Sequence, residues 1–384
     1  MRGRLVISLV LMATSCGSVD LPRRPHVVVV LASGLGQGDL GAYNAASQLA
    51  TPHLDELAAE GLRFADAHAT STRADASRRS LVSGRYPWRS TTVDDGHPAG
   101  LDELMELAGY ELIPDTTDLA AFERRLSTPS TADTRPIFWR LRLDRDRLSP
   151  LPPEGLPLVT RFGRHAEYAL RVDHTLGQVL DLLSARGLAP TTMVVFASDR
   201  SATWSHHEVQ RLGHDANNGW RGPSESNYEA GHRIPLLMRW PGVIEPGSVC
   251  DQTVSLTDLY ATFEDLFWPT PTRARHQRRD GVSLLPILRR DDLDLPLREA
   301  TIHHAPGQGF AIRVANWKFV SSPRDGARGW LFDLDEDPAE LRDESAEYPE
   351  IAERLRLRLS RETPSAGALG DSGPVPAANS VSPW

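Results

Sequence analysis

The chain has 384 residues, of which 40% are hydrophobic and 24% are charged, and its formal net charge at pH 7 is −9. This composition is that of a globular protein large enough to bury a substantial core, in one large domain or one domain with an appendage. Because no cluster of Lys, Arg and aromatic residues stands out against the acidic balance, we expect no nucleic-acid partner.

The N-terminal residues have the three parts of an export signal. Arg2 and Arg4 precede a short apolar run, Leu5 to Met12, and small residues then lead to Cys16. The apolar run has about eight residues, whereas roughly twenty are needed to span a bilayer. We therefore predict a signal peptide over residues 1–15 rather than a membrane helix.

Small residues directly before a cysteine resemble the signal of a bacterial lipoprotein, in which that cysteine becomes the lipidated first residue. This pattern predicts lipidation of Cys16, and an exported protein of the bacterial cell envelope that is attached to a membrane through its lipid alone. The alternatives are an ordinary cleaved signal, which would leave a periplasmic or secreted protein, and a buried free thiol. Cys250 is the other of the two cysteines, so we expect no intramolecular disulfide.

The rest of the chain alternates strands and helices. HVVVVLA at residues 26–32 is a continuous β-branched run of the kind buried on both faces of a parallel sheet. Residues 51–61 predict a short helix that begins at Thr51 and Pro52 and ends at Gly61. The next elements are predicted as strands at 62–67 and 137–143, a long helix over 161–186, and strands at 191–198 and 234–240. This alternation predicts an α/β fold with a mostly parallel central sheet flanked by helices on both faces.

From about residue 295 short strands at 311–314, 317–320 and 330–333 precede a helix at 348–361, which predicts a small C-terminal antiparallel α+β subdomain. The last residues are rich in Pro, Gly, Ala and Ser and are expected to be disordered. The predicted division is a signal peptide (1–15), a linker after the lipidated cysteine (16–24), an α/β domain (25–294), the C-terminal subdomain (295–361) and a disordered tail (362–384).

Nine segments carry a family resemblance through their order along the chain: RPHVVVVLASGLGQGDLGAY, TPHLDELAAEGLRFADAHA, SRRSLVSGRYPWRS, VVFASD, NYEAGHRIPLLMRWPG, VSLTDLYATFEDL, DGVSLLPIL, NWKFV and LFDLDEDPAELRD. The ordered set, which spans residues 24–361, resembles the sulfatase family of the alkaline-phosphatase-like superfamily. The resemblance implies a sulfuric ester hydrolase fold, with a Ca²⁺ or Mg²⁺ ion and a Cys or Ser nucleophile matured to formylglycine.

The segment RADASRRSLVSGR, residues 73–85, is similar to the family's nucleophile loop. The resemblance places Ala74 at the nucleophile and Arg78 at the family's arginine, where it would bind an anion. A methyl group can neither attack sulfur nor be matured. No catalytic residue is therefore assigned.

The metal positions differ from the family's as well. The resemblance places Ser33 and Gly34 where the family has two Asp, and Asp199 and Arg200 where it has an Asp followed by Asn or His. One carboxylate beside an arginine is a poor site for a hard cation that prefers six or more oxygens. We therefore expect no cofactor, with Asp199 as a vestigial ligand. We hypothesise that the Arg200 guanidinium occupies part of the metal volume and pairs with Asp199; the alternative is that Arg200 points to solvent.

Most other family positions are also replaced. The segment ELIPDTTDLAAF, residues 111–122, lacks the family's Lys and His. By resemblance Arg147 stands where a His is expected, and Ser224 where a Lys is expected. The sequence WSHHEVQRLGHD offers three histidines beside acidic residues, His206, His207 and His214 with Glu208 and Asp215, but their spacing fits no compact zinc pattern.

These replacements predict a sulfatase-like exported protein that has lost hydrolase activity and retains weak binding of sulfated or anionic glycans. One alternative is an active sulfuric or phosphoric ester hydrolase with a rearranged site, in which a hydroxyl of Thr70, Ser71, Thr72 or Ser77 would attack. Such a hydroxyl is a poor nucleophile without a metal or a base. The other alternative is a non-catalytic partner of an active sulfatase. The sequence leaves the oligomeric state open.

Overall fold

The structure is a computed structural model that describes residues 24–89, 100–114, 118–127, 135–144, 148–151, 159, 161–203, 206–267, 279–291, 295–322 and 328–364. The strands are β1 (His26–Ala32), β2 (Leu62–Phe64), β3 (Ala67–His68), β4 (Glu111–Ile113), β5 (Ile137–Leu143), β6 (Thr192–Ser198), β7 (Leu236–Arg239), β8 (Ser248–Cys250), β9 (Val254–Ser255), β10 (Thr301–Ala305), β11 (Gly309–Val314), β12 (Trp317–Ser321) and β13 (Gly329–Asp333). The α-helices are α1 (Pro52–Ala59), α2 (Ala74–Ser83), α3 (Leu101–Leu107), α4 (Leu119–Ser127), α5 (Arg164–Ala185), α6 (His206–Leu212), α7 (Glu229–His232), α8 (Thr257–Phe267), α9 (Leu285–Arg289) and α10 (Pro349–Glu362).

The central sheet has seven strands in the order β4-β5-β1-β6-β7-β2-β8. Four neighbouring pairs are parallel, and the two pairs that involve β7 are antiparallel. The predicted α/β fold with a mostly parallel sheet is confirmed. The antiparallel direction of β7 is a finding that its apolar sequence did not indicate, because a buried run of this length suits either direction.

The valine run of β1 lies at the middle of this sheet and is buried on both faces, as predicted. Val27 and Val29 pack with α3 and α8 in one hydrophobic core. Val28 and Val30 point the other way and pack with α1 and α5 in a second core. Alternate residues of one strand therefore supply both cores, which is why every position of the run is apolar.

The predicted strand at 62–67 is divided in the structure. The chain leaves the central sheet after Phe64, turns at Ala65 and Asp66, and continues as β3, which pairs with β9 in a separate two-stranded sheet. The turn directs Asp66 into contacts with Arg233 and Arg313. The division places a carboxylate and the following His68 at the junction with the C-terminal strands.

The C-terminal strands β10 to β13 form an antiparallel sheet in chain order, which confirms the predicted small subdomain architecture. Helix α10 packs on it through Leu355 and Leu359. The helix includes Glu362, which the sequence assigned to the disordered tail. Residues 365–384 and the predicted signal peptide with Cys16 lie outside the described residues. Among the helices described, every one is too short or too polar to cross a bilayer.

Candidate functional site

The candidate site lies at the carboxyl ends of β1 and β6, the edge at which α/β sheets collect functional groups. Ser33 and Gly34 follow β1, and Asp199 and Arg200 follow β6. Because β1 and β6 are parallel neighbours, these two pairs of residues lie side by side. The N–H of Asp199 donates to the carbonyl of Ala32 at 3.0 Å, which holds the end of β6 against the end of β1.

Helix α2 brings Arg78 to the same edge. The helix begins at Ala74, after Arg73 in extended backbone, and ends where Gly84 adopts a left-handed conformation with a φ of 67°. Ala74 and Arg78 are one turn apart and share a helix face. Arg78 Nη1 donates to Asp199 Oδ2 at 2.6 Å. The structure therefore joins the predicted anion-binding residue and the predicted vestigial metal ligand in one ion pair.

The carboxyl group of Asp199 is the most enclosed part of this site. Its side chain is 1% exposed, and that of Arg78 is 28% exposed. Burial raises the pKa of Asp199, because Arg78 and Ser33 oppose the desolvation only partly. Asp199 Oδ1 has no hydrogen-bond partner among the described residues. The ion pair is thus incompletely satisfied on its carboxylate side.

Arg200 lies across Gly34. A β-carbon added at Gly34 would be 3.2 Å from Arg200 Nη2 and 3.3 Å from its Cζ, and Gly34 has a φ of +77°. The guanidinium therefore occupies the space into which a side chain at position 34 would project. The hypothesis that Arg200 fills this space agrees with the geometry, but the predicted ion pair is wrong, because Asp199 pairs with Arg78 rather than with Arg200.

Hydroxyl groups before and within α2 form hydrogen bonds with neighbouring residues. Ser77 Oγ donates to the Ser71 carbonyl at 2.8 Å, and Thr70 Oγ1 donates to Ser80 Oγ at 2.8 Å. All four of these residues are buried. The hydroxyl protons of Thr70, Ser77 and Ser80 are engaged in structural hydrogen bonds, and Ser71 Oγ accepts from the Arg73 N–H at 3.2 Å. None of these hydroxyls is shown bonded to a base that would activate it as a nucleophile.

Of two further positions named in the sequence comparison with the family, the structure describes one and not the other. Ser224, at the expected lysine position, is buried. Arg147, at an expected histidine position, lies outside the described residues, as do residues 115–117 of the segment expected to carry a Lys and a His.

A second buried cluster, which the sequence did not predict, lies beside this edge. Asp39 accepts hydrogen bonds from His165 Nε2 and from His214 Nε2, each at 2.9 Å. His214 is therefore buried on a carboxylate, whereas His207, from the same sequence segment, is exposed. The side chains of His206 and Glu208 lie outside the described part. Because Asp39 is 126 and 175 residues from its two partners, no local spacing could have indicated this contact.

A third group, which we name the histidine cluster, consists of His68, His232 and His303. All three are fully buried where the α/β domain meets the C-terminal sheet. The rings of His232 and His303 are stacked, with centroids 3.6 Å apart and planes 4° apart. The His68 ring centroid is 5.0 Å from each of them.

The ring nitrogens of this cluster are close enough to suggest a metal ion, as are Asp66, His68 and Glu229. The ring orientation argues against an ion held by the histidines, because an imidazole ligates along a lone pair in its own plane and the stacked planes of His232 and His303 do not meet at a common point. The carboxylates are also neutralised already: Asp66 contacts Arg233 at 2.7 Å, and Glu229 contacts Lys318 at 2.9 Å. We do not assign a cation to these groups.

The family model described as Sulfatase matches residues 25–117 and 121–268. A second model, described as N-sulphoglucosamine sulphohydrolase, C-terminal, matches residues 224–364. Together the two matches extend over the central sheet, the candidate site and the C-terminal sheet.

Curated relatives are similar over most of the chain. An N-acetylgalactosamine-6-O-sulfatase of Bacteroides thetaiotaomicron is 22% identical, over 87% of this chain and 92% of the relative. The N-acetylgalactosamine-6-sulfatase of Homo sapiens is 25% identical, over 71% of this chain and 67% of the relative.

Solved structures show the same fold at lower identity. A chain described under the metabolism of multiple glycosaminoglycans by Bacteroides thetaiotaomicron has a TM-score of 0.73 and 19% identity, over 88% of this chain and 99% of that one. A phosphonate monoester hydrolase of Agrobacterium radiobacter has a TM-score of 0.63 and 16% identity, over 88% and 95% of the two chains.

Proposed function

The chain belongs to the sulfatase family of the alkaline-phosphatase-like superfamily, and we propose that it does not cleave sulfuric esters but binds a sulfated or otherwise anionic glycan between Arg78 and Arg200. The family's activity is sulfuric ester hydrolysis, and its members use a metal ion and formylglycine. The proposal therefore requires that this chain lack both the metal ion and the formylglycine.

The position of Arg200 carries the proposal. Its guanidinium lies against Gly34, where the family has a metal-binding Asp, with 3.2 Å between Nη2 and the position of a β-carbon. A divalent ion placed there would meet a fixed positive charge, and Asp199 Oδ2 is already bonded to Arg78. The single remaining oxygen, Oδ1, does not approach the six or more ligands that Ca²⁺ takes or the octahedron that Mg²⁺ takes. The residues present do not fit the family's metal.

The nucleophile position supports the same reading. Ala74 begins α2 and offers only a methyl group, which no maturation can convert to an aldehyde. Loss of a nucleophile alone costs on the order of a million-fold in turnover in a well-studied hydrolase, and the residual rate there depends on the surviving electrostatic stabilisers. In this site the metal, the main stabiliser of the family, also lacks its ligands.

Charge explains why such a site would still bind an anion. Two guanidinium groups, Arg78 and Arg200, face one carboxylate, Asp199, which leaves an excess of one positive charge. Arg78 uses one of the five N–H groups of its guanidinium in the hydrogen bond to Asp199. The guanidinium fork matches the oxygens of a sulfate or carboxylate. We expect weak binding, because Asp199 competes for the same donors.

The test of catalysis is an assay of the purified protein with an aryl sulfate and an aryl phosphate, with and without Ca²⁺, Mg²⁺, Mn²⁺ and Zn²⁺. We expect no turnover above that of buffer under any of these conditions. Metal-dependent turnover that Asp199→Ala abolishes would overturn the proposal in favour of a rearranged hydrolase.

The test of binding is a thermal-shift titration with heparin and with chondroitin sulfate. We expect a concentration-dependent rise in Tm that Arg78→Gln removes. The matched control is Arg79→Gln, because Arg79 is next to Arg78 on α2 but pairs with the exposed Asp75 and not with Asp199. A rise that survives in Arg78→Gln, or no rise at all, would contradict glycan binding in this pocket, and the latter would favour a surface that pairs with an active sulfatase.

Export and lipid anchoring belong to the same proposal and rest on the sequence before Cys16. Growth of a bacterial host with an alkyne-tagged fatty acid should label the full-length chain and leave Cys16→Ser unlabelled. An unlabelled wild-type chain in the culture medium or periplasm would contradict the anchor and agree with an ordinary cleaved signal.

A further inference from the structure

The histidine cluster joins two separate sheets. His68 lies on β3 and His232 on α7, both in the α/β domain, and His303 lies on β10 of the C-terminal sheet. His303 Nδ1 lies 3.2 Å from the carbonyl oxygen of Ala69, the residue that follows β3. The cluster therefore forms part of the contact between the two units rather than the core of either one.

Charged groups from every neighbouring element face the three imidazoles. They are Asp66 before β3, Glu229 and Arg233 at the two ends of α7, Arg313 on β11, Lys318 on β12 and Glu340 after β13. The positive and negative groups are paired with one another at 2.7 to 3.0 Å. The imidazoles thus lie among closely balanced charges and contribute none of their own while they are neutral.

The hydrogen bonds define one set of neutral tautomers. Lys318 Nζ has only protons to donate, so His232 Nε2, 3.1 Å away, must accept. His232 then carries its proton on Nδ1 and donates it to His68 Nδ1 at 2.9 Å. His68 in turn carries its proton on Nε2 and donates it to Asp66 Oδ1 at 2.7 Å.

The third imidazole completes the pattern. His303 donates its Nδ1 proton to the Ala69 carbonyl, and its Nε2 is buried without a hydrogen-bond partner in the described structure. A second proton on His232 would face the Lys318 ammonium group, and one on His68 would face the N–H of His232. One on His303 would be a buried unpaired charge. None of the three rings can be protonated without breaking the arrangement.

The backbone beside the cluster links it to the segment that precedes α2. The N–H of His304 donates to the Thr70 carbonyl at 3.1 Å, and the N–H of Thr72 donates to the His304 carbonyl at 3.1 Å. These bonds attach β10, an edge strand of its sheet, to the chain that leads to Ala74. Asp66, Arg233 and Arg313 also line a cavity of about 380 Å³ open to solvent, which gives protons a path to the cluster.

We propose that the histidine cluster is an acid-sensitive latch, which holds the C-terminal sheet on the α/β domain while its three imidazoles are neutral and releases it when they are protonated. Release would break the bonds between β10 and residues 70–72, and also the hydrogen bond from the Ile302 N–H to the Tyr86 hydroxyl. The two cores on either face of the central sheet would stay intact. The latch does not depend on catalysis or on anion binding at Arg78.

The pH range in which the latch opens follows from the direction in which the histidine pKa values are shifted. Burial lowers the pKa of His68, and it lowers the pKa of His232 and His303 well below the ordinary value. The closed state therefore stays neutral while the open state, with a pKa of about 6.5, takes up protons as the pH falls below that value. Closure is fully favoured above about pH 6.5 and weakens below it, by up to about tenfold in the opening equilibrium per pH unit for each imidazole.

The test is hydrogen exchange of single amides in the full chain, from about pH 7.5 to about pH 5.5, corrected for intrinsic rates. The reporters are the amides of Thr72 and His304, with Val29 in the central sheet as the reference. We expect the protection of the reporters to fall below about pH 6.5 by up to about a thousandfold per pH unit, and that of Val29 to fall less.

The matched variant is the double substitution His232→Gln and His303→Asn, whose amides keep an acceptor for Lys318 and a donor for Ala69. With one titrating imidazole left, the slope should be at most about tenfold per pH unit. His207→Gln, at an exposed histidine, should keep the wild-type slope. An unchanged slope in the double variant, or constant protection in the wild type, would overturn the latch.

A measurement on the wild type keeps the proposal testable should the double variant fail to fold. Nitrogen chemical shifts of histidine-labelled protein should show His232 protonated on Nδ1 and His68 on Nε2, both remaining neutral in the closed state at about pH 5.5. Titration of these rings near about pH 6.5 without loss of the β10 contacts would contradict the proposal.

Discussion

The ion pair between Arg78 and Asp199 shows how a buried carboxylate is held at the end of a central strand. Asp199 is buried, its pKa is raised by that burial, and one of its oxygens has no partner. Such a carboxylate costs free energy in the folded state, and the ion pair with Arg78 offsets part of the cost. The stability of the pocket should therefore depend more on the cation of this pair than on the anion.

We expect Arg78→Ala to lower the free energy of unfolding at pH 7 by about 3 kcal/mol, because it leaves a buried carboxylate without its partner. Asp199→Asn should cost about 1 kcal/mol or less, because it removes the charge that burial penalises. Urea denaturation of the two variants measures the difference.

The control for this pair is Arg79→Ala on the same helix. Arg79 and its partner Asp75 are 55% and 42% exposed, so the loss should be within about 0.5 kcal/mol. Equal costs for Arg78→Ala and Asp199→Asn would show that the pair itself, rather than the desolvated carboxylate, determines the stability.

At the scale of elements, the ends of α2 and α5 show what glycine does at a helix terminus. Gly84 follows α2 with a φ of +67°, and Gly187 lies two residues after α5 with the same φ. Both positions terminate a helix through the left-handed conformation that only glycine adopts without strain. They differ in their surroundings, because Gly84 lies against the Tyr260 ring while Gly187 faces open space.

Alanine substitutions at the two glycines therefore distinguish the cost of backbone strain from the cost of overpacking. Gly187→Ala should cost about 1 kcal/mol of unfolding free energy, from the left-handed backbone alone. Gly84→Ala should cost about 1 to 3 kcal/mol more than Gly187→Ala, because its β-carbon would lie 3.0 Å from the Tyr260 ring. Thermal and urea unfolding of both variants would provide the comparison. Equal costs would mean that the Tyr260 ring moves aside freely.

At the scale of the whole molecule, a buried lysine is one of the groups that join the two units. Lys318 on β12 is fully buried, and its ammonium nitrogen is 2.9 Å from Glu229 Oε1 and 2.8 Å from Glu340 Oε1. Burial opposes ionisation of both carboxyls. Lys318 and Arg233 outweigh it at Glu229 and hold the pKa of that group well below its usual range, whereas the pKa of Glu340 remains raised.

We expect Lys318→Met to lower the unfolding free energy by about 3 to 5 kcal/mol, because it leaves Glu229 buried without its main counter-charge. Glu340→Gln, which removes a carboxyl already disposed to be neutral, should cost about 1 kcal/mol. Urea denaturation at pH 7 measures both.

The double variant Lys318→Met with Glu340→Gln provides the control, since it removes one of the two facing carboxylates. It should be more stable than Lys318→Met alone. A Lys318→Met variant within about 1 kcal/mol of the wild type would show that the ammonium group does not stabilise the junction.

Local patterns were enough to predict the fold class, and the prediction for the nucleophile position rests on residue type alone. The uninterrupted valine run of β1 can be satisfied only by burial on both faces, and the alternation with helices then implies a mostly parallel sheet. Ala74 has no reactive group in any environment, so its identity alone limits the chemistry. These properties depend on residue type and on near neighbours, which a sequence displays directly.

The tertiary structure decided everything that depends on which distant residues meet. It made Arg78, rather than Arg200, the ion-pair partner of Asp199, and it turned β7 antiparallel. It also brought His68 against His303, 235 positions later in the chain. A buried charge or imidazole takes its properties from its neighbours in space, because desolvation and hydrogen bonding act over a few ångströms. Those neighbours come from separate elements, and only the packing of the two sheets specifies them.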